Sequence, residues 1–224
     1  MMKKKLLAGA LGLSMLASMG AGAYAASNLQ EIKAYLNSGL KFKVDGVPVQ
    51  LRDGNGSTVL PITYNGTTYL PVRAVSDALG VAVNYDAKAG TVHLGERSEG
   101  VSIVDGFEDM YQTKDPSKTS YNGKDYKEVY FNNAAGSRSG SFMLYPKKKY
   151  QKLYLQVAAV GKDIEELKIQ ESGSLKELLQ TSVTMDEGLK TIEVDIGGIE
   201  ALYINADLVD GGAMFVPLIA SYYK

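Results

Sequence analysis

The chain has 224 residues, 24 Lys and Arg against 25 Asp and Glu, one His, no Cys and no Trp. That balance excludes the strongly basic footprint of a nucleic-acid binder. It also excludes disulfide staples, thiolate metal centres and any site that needs several imidazoles.

Residues 1–25 read as a targeting segment. Lys3, Lys4 and Lys5 precede an apolar run over 6–19, and Ala23-Tyr24-Ala25 sets small residues where a signal peptidase reads, so cleavage is expected before Ala26. The run is short for a span of about 20 residues, so no membrane span is expected in the mature chain. No Cys follows it to carry a lipid anchor. Removing it leaves 199 residues with 21 cations and 25 acids, a mildly acidic exported chain of bacterial character.

Residues 28–37 predict a short helix, with Asn28 as cap, Glu31 as capping-box partner and Leu29, Ile32 and Leu36 on one face. From residue 40 the apolar period changes to two. Phe42 and Val44, then Val47 and Val49, flank Asp45-Gly46 as a hairpin. A second hairpin turns at Asn65-Gly66, since Asn-Gly supplies the two positive φ angles of a type I′ turn. Pro71 then opens a helix with Val72, Val75 and Leu79 on its apolar face, and Gly80 closes it in the left-handed conformation. Strands around 81–85 and 91–94 complete a small α+β unit.

These residues resemble the N-terminal domain of some copper amine oxidases, now often called a stalk domain. The match runs from about Val44 to Leu94 through L-P-I-x-Y-N-G-x-x-Y-L-P-V-R-A-V-S-D-A-L-G and V-x-V-x-Y-D. The resemblance implies display or spacing at a bacterial surface rather than oxidation. Asn84-Tyr85-Asp86 matches the core around the self-processed tyrosine of true amine oxidases, but copper there needs three imidazoles and this chain has only His93.

The expected organisation is a signal peptide over 1–25, the stalk-like α+β domain over 26–95, a linker over 96–100 and an all-β antiparallel sandwich over 101–224. Strands are expected at 153–160, 167–171, 190–195, 199–204 and 214–220, with Gly-bearing turns between them and a short helical turn at 175–180. This half resembles the novel carbohydrate-binding module family, a jelly roll of the galactose-binding type. The matching pieces are Tyr121-Asn122-Gly123-Lys124-Asp125-Tyr126, the K-K-Y-x-K-L after a Tyr-Pro segment, and V-D-I-G-G-I-E-A-L.

Sugar sites stack an aromatic ring on the pyranose and surround it with polar groups. Without Trp, that role falls to the 15 Tyr, of which Tyr111, Tyr121, Tyr126 and Tyr145 lie in or beside polar, loop-like stretches. Arg138, between glycines and serines, is a candidate binding-loop donor of the same kind, its competing reading a solvated loop residue. The competing reading of each Tyr is core or sheet-edge packing. Adjacent acids such as Glu165-Glu166 cannot face each other across a glycosidic bond. No Gly-x-Ser-x-Gly elbow, phosphate loop or metal-ligand spacing is present. No catalytic residue, metal or cofactor is therefore expected. The expected partner is an extracellular or cell-wall polysaccharide, and the alternative is a spacer that engages a protein at the cell surface.

Overall fold

The computed structural model describes residues 30–96, 99–133, 135–136 and 138–224, so the targeting segment, Asn28 and Leu29 lie outside the described residues. The protein is mostly antiparallel β-sheet. In the N-terminal part, β1 (Tyr35–Leu36), β4 (Ile62–Tyr64) and β5 (Thr67–Tyr69) form one small sheet. The pairs β2 (Phe42–Val44) with β3 (Val47–Val49) and β6 (Val83–Asp86) with β7 (Thr91–Leu94) form two others. The Asp45-Gly46 and Asn65-Gly66 hairpins form as expected, with φ of 49° and 82° at the first turn and 47° and 75° at the second.

Two expectations are corrected here. Residues 30–34 are not helical, and Tyr35–Leu36 is a strand paired with Ile62 and Thr63. Asn37 extends that ladder, donating its N–H to the Pro61 carbonyl at 2.9 Å and its Nδ2 to Thr63 Oγ1 at 3.3 Å. A strand edge distant in sequence satisfies the backbone that the helical pattern would have satisfied locally. The helix Val72–Leu79 is capped by Pro71 rather than begun by it, and Gly80 ends it at φ 65°. Its buried side chains are Ala74 and Ser76, whereas Val72 and Leu79, placed on the apolar face by their spacing, are exposed.

Beyond residue 100 the strands build two curled sheets. The larger takes β8 (Val101–Ser102), β9 (Gln112–Thr113), β12 (Val129–Asn132), β14 (Lys152–Val160), β17 (Lys190–Asp195), β19 (Ala213–Pro217) and β20 (Tyr222–Tyr223). The other takes β13 (Arg138–Leu144), β15 (Ile164–Glu171), β16 (Glu177–Val183) and β18 (Leu202–Leu208). A separate hairpin, β10 (Ser120–Tyr121) with β11 (Lys124–Asp125), follows a one-turn helix at Pro116–Thr119. The expected helical turn at 175–180 is instead a left-handed Leu175 (φ 56°) leading into β16. The expected strand at 199–204 begins only at Leu202 and runs on to Leu208.

Alternation along these strands makes the core. Leu153, Leu155 and Val157 of β14 and Leu202, Ile204 and Ala206 of β18 are fully buried, while Tyr154 and Gln156 between the former are half-buried on the other face. Burying each of the Leu, Ile and Val side chains among them stabilises the fold by about 1.5–3 kcal/mol relative to exposure. Phe107, Tyr130 and Phe142 add an aromatic cluster with ring centroids 4.8–6.3 Å apart. Among the described residues, the buried apolar side chains before residue 100 are few: Leu51, Pro61, Ala74, Ala82 and Val83.

The two parts meet at a polar junction. Gln151 Oε1 accepts from the Ala82 N–H at 3.0 Å, and its Nε2 donates to the Gly80 carbonyl at 3.4 Å and to Asp195 at 2.8 Å. The Val83 N–H donates to the Lys148 carbonyl at 3.1 Å, and Lys148 Nζ pairs with Asp77 at 3.2 Å. Gly197 faces the Gly80 carbonyl so closely that a Cβ there would lie 2.0 Å from the oxygen.

Two outcomes follow. Gly197→Ala should push the helix end away from the sandwich, so amide exchange at Ala82 and Val83 quickens while exchange in β14 and β18 does not; unchanged exchange at 82 and 83 would show that the contact carries no weight. Burial holds the Tyr130 phenol up to about 12 and raises that of Tyr223 as well. A folded-state value above the free phenol's, near 10, gives stability fully present below about pH 10 and lost as the pH rises through about 12. The urea midpoint should therefore fall across that window, with the Tyr130 and Tyr223 phenols among those ionising late by absorbance at 295 nm.

Candidate functional site

A cleft of about 400 Å³ opens where the chain enters the sandwich, between residues 101–107 and the β13–β14 connection. Its walls include Ile103, Phe107, Leu144 and Tyr223, all buried core residues, so the floor is apolar and rigid. Tyr150 stacks on Tyr223 with centroids 4.8 Å apart and planes 13° from parallel. The lining also carries exposed polar side chains: Asp105 from the entering chain, and Tyr145, Lys147 and Lys149 from the β13–β14 connection. Tyr145 is 53 % exposed, so much of its side chain is open to solvent.

The rim owes its shape to backbone geometry. Lys147 and Lys148 both adopt left-handed φ, 54° and 57°, a conformation that non-glycine residues seldom hold without external support. The support is visible. The Lys147 N–H donates to the Glu200 carbonyl at 3.0 Å, the Lys148 N–H to Ile199 at 2.9 Å, and the Lys149 N–H to Pro146 at 3.1 Å. With its backbone pinned to the 199–200 loop, the turn presents Lys147 and Lys149 at the cleft while Lys148 pairs with Asp77 outside it.

The five residues singled out from sequence scatter over the sandwich. Tyr145 alone lines the cleft. Tyr111 packs on the main core, its ring edge-on to Tyr130 at 5.9 Å. Tyr121 stacks on Phe215 at 5.3 Å, and Tyr126 meets the same ring edge-on at 5.7 Å with Lys124 Nζ over its own face. Together with Val129 and Ala158 they form a second apolar cluster. Arg138 donates Nε and Nη2 to Asn132 Oδ1, at 3.2 and 2.6 Å, and Nη1 to the Gly136 carbonyl at 2.9 Å. Asn132 is itself buried and donates to the Tyr130 hydroxyl at 3.0 Å, so the guanidinium terminates a buried polar chain.

Lys147, Lys149, Asp105 and Tyr150 did not emerge from sequence as members of one site. The available signal was the Lys147-Lys148-Lys149 run, the only such triplet after residue 5 in an otherwise acidic chain. Asp105 and Tyr150 reach the cleft only through tertiary placement. The signal-cleavage residues Ala23 and Ala25 lie outside the described residues.

Copper chemistry has no ligand set here. His93 is the one imidazole and stands in β7 opposite Asn84. Among the described residues no group of three or more His, Cys, Asp or Glu side chains is placed to hold a metal ion.

Comparison with known proteins adds the following. Residues 43–122 match the family model of the copper amine oxidase N-terminal domain, a stretch that runs past β7 into β8, β9 and β10. No curated protein matches the chain. Among solved structures, TmCBM61 in complex with β-1,4-galactotriose is similar at 14 % identity and a TM-score of 0.34, over 58 % of this chain and 92 % of that one. CBM29_1, a family 29 carbohydrate-binding module from Piromyces equi, is similar at 13 % identity and a TM-score of 0.32, over 55 % and 89 %.

Arg138→Ala should cost about 2–3 kcal/mol in chemical denaturation, because it removes charged hydrogen bonds and strands the buried Asn132 oxygen. Arg138→Lys should recover only part of that, since an ammonium lacks the planar fork. Ligand retention at the cleft should be unaffected in both, and a binding loss without destabilisation would move Arg138 into the site.

Proposed function

We propose that this is a secreted, non-catalytic protein of the bacterial cell surface or wall, in which a stalk-like α+β N-terminal domain presents a jelly-roll sandwich that binds a glycan. The observation that carries the reading is the cleft beside Tyr145. A half-exposed aromatic ring, an apolar floor braced by the Tyr150–Tyr223 stack, and a rim of Lys147, Lys149 and Asp105 together offer what a sugar needs. The ring takes the apolar face of a pyranose, and the charged rim takes its hydroxyls as donors and acceptors. The sequence resemblance of residues 121–202 to the carbohydrate-binding module family supports the same class.

The non-catalytic part of the reading rests on the residues themselves. Among the described residues Asp105 is the one carboxylate lining the cleft, where hydrolysis of a glycosidic bond takes a pair on opposite sides of it. Export rests on residues 1–25, whose charge and apolar pattern is that of a secretory signal.

A second reading has its own observation. Among the described residues, fourteen of the 20 exposed large apolar side chains lie between Ile32 and Leu94, including Tyr35, Leu36 and Tyr69. Apolar surface at that density favours a protein contact, which would make the chain a spacer that engages a protein partner.

Retention of residues 26–224 on insoluble cell wall and on a panel of insoluble polysaccharides distinguishes the two. Glycan binding predicts retention that Tyr145→Ala lowers by tenfold or more, with a thermal midpoint within about 2 °C of the parent because the ring is largely exposed. No retention on any glycan, with capture by a surface protein through the 30–96 part, would establish the spacer instead.

A further inference from the structure

We infer that the ligand of the Tyr145 cleft is an anionic glycan, recognised through its carboxylate or phosphate groups by Lys147 and Lys149; this rests on the glycan reading of that cleft. The first observation is charge placement. The chain after residue 25 is net negative, yet two of the three lysines in its only run of three consecutive cations, Lys147 and Lys149, line the cleft. A solvated lysine face distributed for solubility needs no such concentration on a concave site.

The second observation concerns what these lysines are already doing. Lys148, in the middle of the run, is consumed by its pair with Asp77 and so serves the junction. Lys147 and Lys149 form no ion pair within 4.0 Å among the described residues, although the sandwich supplies such partners to Lys152, Lys168 and Lys190. Both flanking ammonium groups therefore remain open to a ligand at the cleft.

The third observation is the backbone. Two successive left-handed lysines are held by donation to the carbonyls of Glu200 and Ile199, which fixes the stems of the rim side chains before any ligand arrives. Pre-organisation reduces the ordering cost of binding. Asp105 also lines the cleft, where its carboxylate suits sugar hydroxyls and repels an acid group. Lys147 and Lys149 offer the anionic group its counter-charge, and Tyr145 offers the pyranose a ring face.

The test is binding of residues 26–224 to three soluble polymers by affinity electrophoresis: polygalacturonate for carboxylate, phosphomannan for phosphate, and neutral galactan. At least one anionic polymer should bind at least tenfold more tightly than galactan. The preference should shrink as salt rises from 0.05 to 0.5 M, as exposed charge pairs are screened. Lys147→Gln with Lys149→Gln should remove most of the preference, whereas Lys162→Gln with Lys176→Gln, away from the cleft, should not. Which anionic polymer wins assigns carboxylate or phosphate. Equal binding of all three, indifferent to the rim variant, overturns the inference and leaves the glycan reading standing. Binding to none of the polymers, together with no retention on insoluble glycans, overturns both. A thermal midpoint of the rim variant matching the parent excludes misfolding as the cause of any loss.

Discussion

The turn from β13 into β14 is the constraint on which the rest of the arrangement depends. Its two left-handed lysines run the backbone past the 199–200 carbonyls. From there one carbonyl and one ammonium reach outward to Val83 and Asp77, while the neighbouring side chains reach inward to the cleft. Gln151, the last residue before β14, completes the junction with both ends of its amide. A single connection thus orients the N-terminal part, shapes the rim and launches the central strand. The core alone would tolerate many loops at this point; the junction and the rim tolerate few.

What the sequence revealed about the fold was what is written in neighbouring residues. Asp45-Gly46, Asn65-Gly66 and Gly80 each declare their backbone angle, and each adopts it. Strand β17 has the bounds its alternation implies. The failures share one cause. Ile32 and Leu36 have helical spacing, but Tyr35–Leu36 pairs with residues some 26 positions away, and the ladder's hydrogen bonds override a local preference. Val72 and Leu79 likewise obey helical periodicity, yet the helix is held by its end at Gly80 and by Asp77 rather than by an apolar stripe.

The site was legible to a smaller degree, for the same reason. Tyr145 could be picked out because it sits in a polar stretch. Its companions could not, since Asp105 lies 40 positions earlier in the chain (145 − 105) and Tyr150 acquires its place by stacking on Tyr223, near the other end of the chain. Arg138 shows the converse. A Gly- and Ser-flanked arginine reads as a loop donor, but β13 begins at that residue and Asn132 lies within reach of its fork. Tyr121 and Tyr126, whose surroundings are equally polar in sequence, fold inward over Phe215.

The uneven distribution of buried apolar residues bears on how the molecule opens. Local unfolding free energies follow buried contacts, and regions poor in them open independently of the rest. With few buried apolar side chains against the dense interior beyond residue 100, residues 30–96 are expected to open first. Their closed state is secured at the Gly80–Gln151–Gly197 meeting point rather than from within. A pulling force or a protease acting at the N-terminal end would therefore meet a soft element ahead of a hard one. The sandwich would keep its cleft after the first element had let go.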